Sequence, residues 1–280
     1  MRKAPMVAAI NDLSGYGRCS LTAVIPILTV MGFQVCPLPT AILSNHTGYK
    51  SCYFKDFTDD ITPYFQEWQK LGLRFAAVCT GFLGSAKQAD IVCGIIRELE
   101  NANDAAARPL VLVDPVLGDN GKAYATCDKQ LCSEMRKLAA LADIITPNIT
   151  EACLLLDKEY CGERIDEVLA VSLVKELAAL GAKQVVLTGV RSKPHTLANL
   201  AFDTQKNHFY WVEEPLVEPG FAGAGDVFSA VLAGALLKGE DMQAALEKAA
   251  FFVYMAAKNT AESCGSALDG LDFEPYLKML

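Results

Sequence analysis

Short apolar runs alternate with longer amphipathic patterns along almost the whole chain, and few folds satisfy that order. Val7–Ile10, Phe75–Thr80, Leu110–Val113, Ile144-Ile145 and Gln184–Leu187 read as buried strands. Between them, Leu21–Met31, Ile61–Leu71, Ala86–Leu99, Lys129–Ala140 and Asp166–Leu180 carry apolar residues at helical spacing, and Met242–Lys258 adds a long late helix. Strands separated by helices predict an α/β three-layer sandwich, with a mostly parallel central sheet and helices on both faces. One departure is expected. Leu197–Phe202 and His208–Val212 flank the polar turn Asp203–Asn207 and read as a β-hairpin. No internal repeat or linker interrupts the alternation, so residues 1–280 read as one domain, and a chain that is 52% hydrophobic can fill its core.

The places where the strand runs stop are more informative than the runs. Val7–Ile10 leads into Asn11-Asp12-Leu13-Ser14-Gly15-Tyr16-Gly17, which reads as a loop. Gln34–Pro37 and Thr40–Leu43 read as two extended pieces parted by Pro37 and Pro39, followed by Ser44-Asn45-His46-Thr47-Gly48-Tyr49. Phe75–Thr80 is followed by Gly81-Phe82-Leu83-Gly84-Ser85, and Leu110–Val113 by Asp114-Pro115-Val116-Leu117-Gly118-Asp119. Ile144-Ile145 opens into Thr146-Pro147-Asn148-Ile149-Thr150-Glu151, a helix start, and Gln184–Leu187 into the turn Thr188-Gly189. Open α/β sheets bind ligands beyond the carboxyl ends of their strands, so this shared placement points to one site. Each motif alone also has a plainer meaning. Asp-Pro and Asn-Gly are common turn dipeptides, Asn148 suits a helix cap, and Glu151 near a helix start complements the helix dipole. Asp114 and Asp119, five residues apart after a strand, suit Mg²⁺ held directly or through water.

One further stretch, Pro219-Gly220-Phe221-Ala222-Gly223-Ala224-Gly225-Asp226, runs straight into the helical pattern Val227, Phe228, Val231, Leu232, Ala235 and Leu236. The first turn of a helix leaves N–H groups without partners, and its positive dipole end receives anions. Asp226 at that end is either a helix cap or a base beside a bound anion. At such a terminus its ionised form is favoured.

Charge and composition exclude other classes. The net charge is −8 with a pI of about 5.0, and no basic patch suggests nucleic acid. Gly15-x-Gly17 lacks the third glycine of a dinucleotide fingerprint, and no Gly-x₄-Gly-Lys-Ser/Thr loop occurs. Ten scattered cysteines without Cys-x-x-Cys spacing read as small hydrophobes in a reducing, cytoplasmic chain. Asn11-Asp12 breaks the N-terminal apolar run too early for a signal peptide, and no segment approaches the roughly 20 apolar residues of a membrane span.

Taken together, Ser44–Tyr49, Asp114–Asp119, Thr146–Glu151 and Gly223-Ala224-Gly225-Asp226 resemble the ribokinase-like superfamily, and within it the pyridoxal (vitamin B6) kinases. The resemblance extends over about residues 6–260. It implies a ribokinase-like fold and transfer of the ATP γ-phosphoryl group to the hydroxymethyl of pyridoxal, pyridoxamine or pyridoxine, in vitamin B6 salvage. It implies Asp226 as catalytic base, with the backbone of Gly223, Ala224 and Gly225 as anion hole. It implies Asp12, Tyr16, His46, Thr47 and Phe82 at the vitamer, and Asp119, Asn148, Glu151, Thr188 and Gly189 at ATP. Asp119 and Glu151 then lie near Mg²⁺, and Tyr124 falls in a lid segment. The family also uses K⁺ and forms homodimers. Three positions depart from the B6 pattern: Asp12 stands for a common Ser, Phe82 for a Tyr and Ala224 for a Thr. Two other readings stay open. One is a kinase for hydroxymethylpyrimidine or another small alcohol, and the other a non-enzymatic carrier of pyridoxal phosphate or nucleotide, against which the intact Asp226 argues.

Overall fold

The computed structural model describes residues 4–101, 108–263 and 266–280. The polar loop expected over Asn101–Arg108 and the tail Ser263–Ser266 lie partly outside these residues. The chain opens with β1 (Met6–Ser14), α1 (Ser20–Val30), β2 (Gln34–Leu43), β3 (Phe54–Asp56), α2 (Thr58–Lys70), β4 (Ala77–Thr80) and α3 (Ala86–Asn101). Next come β5 (Leu110–Val113), the two-residue strands β6 (Gly118–Asp119) and β7 (Lys122–Ala123), α4 (Lys129–Leu141), β8 (Ile144–Ile145), α5 (Ile149–Leu156) and α6 (Glu167–Ala178). The rest is β9 (Gln184–Val190), β10 (Thr196–Asp203), β11 (His208–Pro215), α7 (Ala224–Leu237), α8 (Met242–Glu262) and a 3₁₀ helix, Glu274–Met279.

Nine strands form one sheet in the order β11-β10-β9-β8-β5-β4-β1-β2-β3. The pairs from β2 through β1, β4, β5 and β8 to β9 are all parallel, and β3, β10 and β11 add antiparallel edges. The expected α/β architecture is present, hairpin included. Period-two alternation sends Ala8 and Ile10 of β1 to one core, packed with α2 to α6, and Val7 and Ala9 to the other, packed with α1, α7 and α8. From β1 the chain moves outward to β2, then returns to the other side of β1 as β4. That reversal opens a crevice beyond the carboxyl ends of β1 and β4. Among the described residues no helix is long and apolar enough to cross a membrane.

Three boundaries differ from the sequence reading. β1 continues through Asn11-Asp12-Leu13-Ser14, because β2 pairs with it as far as Ser14. Asp12 is therefore a buried strand residue, not a loop residue. The two pieces around Pro37 and Pro39 are one strand. Pro37 pairs with Ala9 and Pro39 with Asn11, while β3 reaches β2 only at Ala41, Ile42 and Leu43. The other side of β2 is open beside both prolines, where a missing N–H breaks no ladder. Thr188-Gly189 is not a turn after β9 but part of it. Gly189 has φ +73°, and its N–H meets the side-chain oxygen of Asn199 at 3.4 Å, where the β9–β10 register shifts. A glycine lets the strand bend there without breaking.

Candidate active site

Asp226 lies at the crevice, in the first turn of α7. The helix is capped by Gly223, in the left-handed conformation, and no side chain caps it. Asp226 is thus not the cap that one sequence reading allowed. Its Oδ1 accepts a hydrogen bond from Asn11 Nδ2 at 2.9 Å, across 215 residues of sequence. The backbone N–H of Ser20, at the start of α1, also supports the carboxylate. Two helix starts and one strand therefore converge on a single acid. Asn11 is fixed in turn: its Oδ1 accepts the N–H groups of Phe82 at 2.7 Å and Asp12 at 2.9 Å. Gly81 makes room, since a Cβ there would come within 2.2 Å of the Asn11 amide.

The ionised form expected for Asp226 from its helix terminus is not what its surroundings favour. Burial pushes its pKa up to about 6, and the Asp12 charge adds to this, against the lowering effects of Ser20, Asn11 and His46. Desolvation outweighs the dipole because protein encloses the carboxylate. Such a group suits proton transfer near neutral pH.

Asp12 itself accepts the Ser14 hydroxyl at 2.8 Å, and burial holds its pKa above the usual carboxylate value. It lies beside Asp226 and is not among the residues that border the aromatic cleft containing Tyr16. That cleft, of about 560 Å³, is bounded by Tyr16, Asn45, Tyr49, Lys50 and Leu268 among others. His46 stands behind its Tyr49 wall, with ring centroids 4.7 Å apart. The imidazole Nδ1 accepts the Gly48 N–H at 3.1 Å and Nε2 lies 2.6 Å from the Leu268 carbonyl, a pairing that places the proton on Nε2. Thr47 is exposed and borders neither this cleft nor the cavity beneath Asp226. Phe82 is held at its backbone by Asn11 and by the Thr40 hydroxyl, which donates to its carbonyl at 2.8 Å.

A second group gathers at the ends of β5, β8 and β9. Asn148 caps α5: its Oδ1 accepts the Glu151 N–H at 2.9 Å, and Glu151 Oε2 accepts the Asn148 N–H at 2.8 Å, a complete capping box. Glu151 Oε1 also accepts the Leu117 N–H at 3.3 Å. Both oxygens of Glu151 thus have backbone partners, and the cap reading describes what the residue does here. Asn148 Nδ2 donates to the Gly118 carbonyl at 2.9 Å, and a β-bridge sets Asn148 beside Thr188. Asp119, Asn148, Glu151, Thr188 and Gly189 are therefore brought together as the sequence suggested. Asp119 is exposed on the β6–β7 hairpin, its carboxylate turned to Asn120.

Asp114 joins the two groups. It is buried at the end of β5, accepts the Ser229 hydroxyl at 3.0 Å and borders the small cavity under Asp226 with Asn11 and Thr80. Burial and the Asp226 charge raise its pKa. Burial and the Asp114 charge raise that of Glu151 well above the ordinary value. The Tyr124 phenol is raised by burial and by Glu151, Asp119, Asp114 and Asp226, so it stands among the same carboxylates. This interior is rich in negative charge, with hard oxygen donors, yet no group of three metal-ligating side chains is preassembled among the described residues. That combination fits Mg²⁺, which keeps waters and binds through one or two carboxylates together with substrate phosphates.

Asn11, Gly81, Ser20 and Tyr49 are the contributors that residue-by-residue reading did not assign. Asn11 had a signal in its place at a strand end beside Asp12. Ser20, at φ +52°, had none.

Known proteins share the sequence pattern and the fold of this chain. The phosphomethylpyrimidine kinase family model matches residues 66–268. Pyridoxal kinase PdxY of Vibrio vulnificus is 28% identical over 83% of this chain and 80% of its own length. A Bacteroides thetaiotaomicron protein, a candidate phosphomethylpyrimidine kinase solved in a crystal form with pyridoxal, is 38% identical. It covers 99% of this chain and 96% of its own, with a TM-score of 0.90. Pyridoxal kinase from Leishmania donovani, in complex with ADP and pyridoxamine, is 25% identical over 98% of this chain and 94% of its own, with a TM-score of 0.90. The sheet order, the Asp226 site and the extent of the family match lead to one assignment: this chain is a ribokinase-like kinase and belongs to the phosphomethylpyrimidine kinase family.

Proposed function

We propose that the chain transfers the γ-phosphoryl group of ATP to the hydroxymethyl group of a B6 vitamer, pyridoxal, pyridoxamine or pyridoxine. The observation that carries this reading is Asp226, enclosed by Asn11 and Ser20 at the open start of α7. The pyridoxal-bound and ADP-bound relatives support the two substrates.

In this reading the ring lies in the aromatic cleft and the hydroxymethyl turns toward Asp226. The carboxylate takes the hydroxyl proton as the oxygen attacks the γ-phosphorus, and ADP departs. Val227 N–H makes the first helical bond, to the Gly223 carbonyl at 3.0 Å. Of the preceding N–H groups, that of Ala224 makes only a long bond, to the Phe221 carbonyl at 3.4 Å, and those of Gly225 and Asp226 face the transferring phosphoryl and stabilise the charge it develops. Asn148, Thr188 and Gly189 border the nucleotide, and Tyr124 with the β6–β7 hairpin covers the phosphates. Asp119, Asp114 and, through water, Glu151 would hold the Mg²⁺ that accompanies ATP, and the ion would supply neutralisation of phosphate charge. A reducing, cytoplasmic setting suits the nine free cysteines of the described residues.

The test is ATP consumption with pyridoxal, pyridoxamine, pyridoxine, hydroxymethylpyrimidine and ribose compared side by side. Preference for a B6 vitamer is expected. Preference for hydroxymethylpyrimidine, the reading that the family description favours, would keep Asp226 and reassign the cleft. Tight vitamer binding without turnover would make the protein a carrier.

Asp12 supplies a prediction of its own. Its negative charge is one of the influences that raise Asp226, while Asn11, Ser20 and His46 act the other way. Removing a like charge favours ionisation, so Asp12→Ser lowers the Asp226 pKa. The acid limb of kcat/KM, near pH 6 for the wild type, then moves to lower pH. A limb that stays in place, or moves up, contradicts the coupling.

A further inference from the structure

The segment after α8 touches three separate parts of the site. Arg18 N–H donates to the Asp269 carbonyl at 3.1 Å, and a β-bridge joins Arg18 to Gly270, fixing the turn before α1. Ala222 N–H donates to the Ala267 carbonyl at 3.0 Å, which holds the loop leading into the Gly223 turn. The Leu268 carbonyl meets His46, and Tyr49 Oη donates to Asp269 Oδ1 at 2.5 Å. Asp272 anchors the segment to α8, its N–H on the Thr260 hydroxyl at 2.7 Å and its Oδ2 on Asn259 Nδ2 at 3.1 Å.

These contacts make the position of Tyr49 depend on Asp269. Tyr49 lies on an irregular loop, where neither strand pairing nor a helix fixes its ring. The ring borders the cleft, tilted against Tyr16 with centroids 5.9 Å apart and against His46 at 4.7 Å. A charged acceptor makes the stronger kind of hydrogen bond, and this one joins side chains 220 residues apart. The Arg18 guanidinium does not compete for Asp269, because it is bound to Asp272 and Glu274.

We propose that Asp269 is a substrate-positioning residue, which through the Tyr49 hydroxyl holds the aromatic wall against which the ring of the substrate lies. The inference rests on the B6-kinase reading and extends it to a residue that touches no reacting atom. The Tyr49–Asp269 contact then acts on the flat ring, not on ATP. It favours flat aromatic alcohols over sugars, which cannot stack ring on ring against an aromatic wall.

The experiment is a double-mutant cycle on the full chain, with pyridoxal and ATP varied separately. Tyr49→Phe keeps the ring and loses the donor, and Asp269→Ala loses the acceptor. Each is expected to raise the KM for pyridoxal on the order of tenfold, the change that about 1.4 kcal/mol produces. The KM for ATP should stay within about twofold. The double variant should be no worse than either single one, since both remove the same bond. Asp269→Asn, whose amide oxygen still accepts the phenol, should restore most of the affinity. Melting temperatures identify any variant that has lost its fold, and Asp269→Asn then carries the comparison with Tyr49→Phe. Additive effects, or equal changes in both KM values, overturn the proposal. If the wild type phosphorylates pyridoxal and neither variant alters its KM, the inference alone fails. If the wild type phosphorylates no vitamer, the function reading fails and takes the inference with it.

Discussion

Asp226→Asn is expected to lower turnover by roughly 10²-fold or more, the loss typical of a general base, while the KM values for ATP and vitamer stay near those of the wild type. The reason is the way the acid is held. Asn11 Nδ2 donates to Asp226 Oδ1, and the Ser20 N–H supports the same carboxylate. An asparagine in that place keeps the shape of the side chain and one accepting oxygen, which can face Asn11 Nδ2, so the local geometry survives. What disappears is the capacity to take the hydroxyl proton. The acid limb near pH 6, set by the raised pKa of Asp226, should vanish from the residual rate. Steady-state kinetics with both substrates varied decide the matter. Turnover at the wild-type level in the variant would remove Asp226 from the mechanism.

The second large effect belongs to a backbone position. Gly223 has φ +74°, and a Cβ there would fall 2.0 Å from the Arg18 carbonyl oxygen and 2.9 Å from Cys19 Cα. A left-handed conformation costs an L-residue about 1–2 kcal/mol before any overlap is counted. Here the overlapping atoms are backbone, so the start of α7 has to move. Gly223→Ala therefore displaces the N–H groups that face the phosphoryl and carries Asp226 with them. Removing one such donor from an anion hole typically costs about 10²- to 10³-fold in kcat, and a loss at least that large is expected, with a lowered melting temperature. Gly225→Ala is the comparison. Gly225 is not at positive φ, and its added Cβ would meet Asp114 Oδ2 at 3.6 Å, an ordinary contact, so its melting temperature should stay close to that of the wild type. Full activity in Gly223→Ala would contradict the anion-hole assignment.

How far the sequence carried the account differs from element to element. Leu110–Val113 was readable to the residue, because an apolar run between a helix and a polar turn has one outcome in an α/β sheet. The β2 strand was not, because two prolines look like a break until the pairing of their neighbours is known. The motifs at strand ends do meet in the fold: Asn148 lies beside Thr188, and Asn11 hydrogen-bonds Asp226. Roles set by burial were out of reach. The helix-terminus argument gave the wrong direction for Asp226, since desolvation depends on everything packed around the group, and the Glu151 carboxylate is engaged by two backbone N–H groups, of Asn148 in the capping box and of Leu117. Asp269 carried no sequence signal at all. Its partner Tyr49 is 220 residues away, and only the fold brings the pair together.

The central claim is that Asp226 serves transfer of a phosphoryl group to a vitamer hydroxymethyl, and following the γ-phosphate of ATP tests it most directly. With γ-labelled ATP, Mg²⁺ and pyridoxine, the account predicts label on the hydroxymethyl oxygen of the vitamer for the wild type and almost none for Asp226→Asn. Label found only in inorganic phosphate, or transferred equally by both proteins, would contradict it.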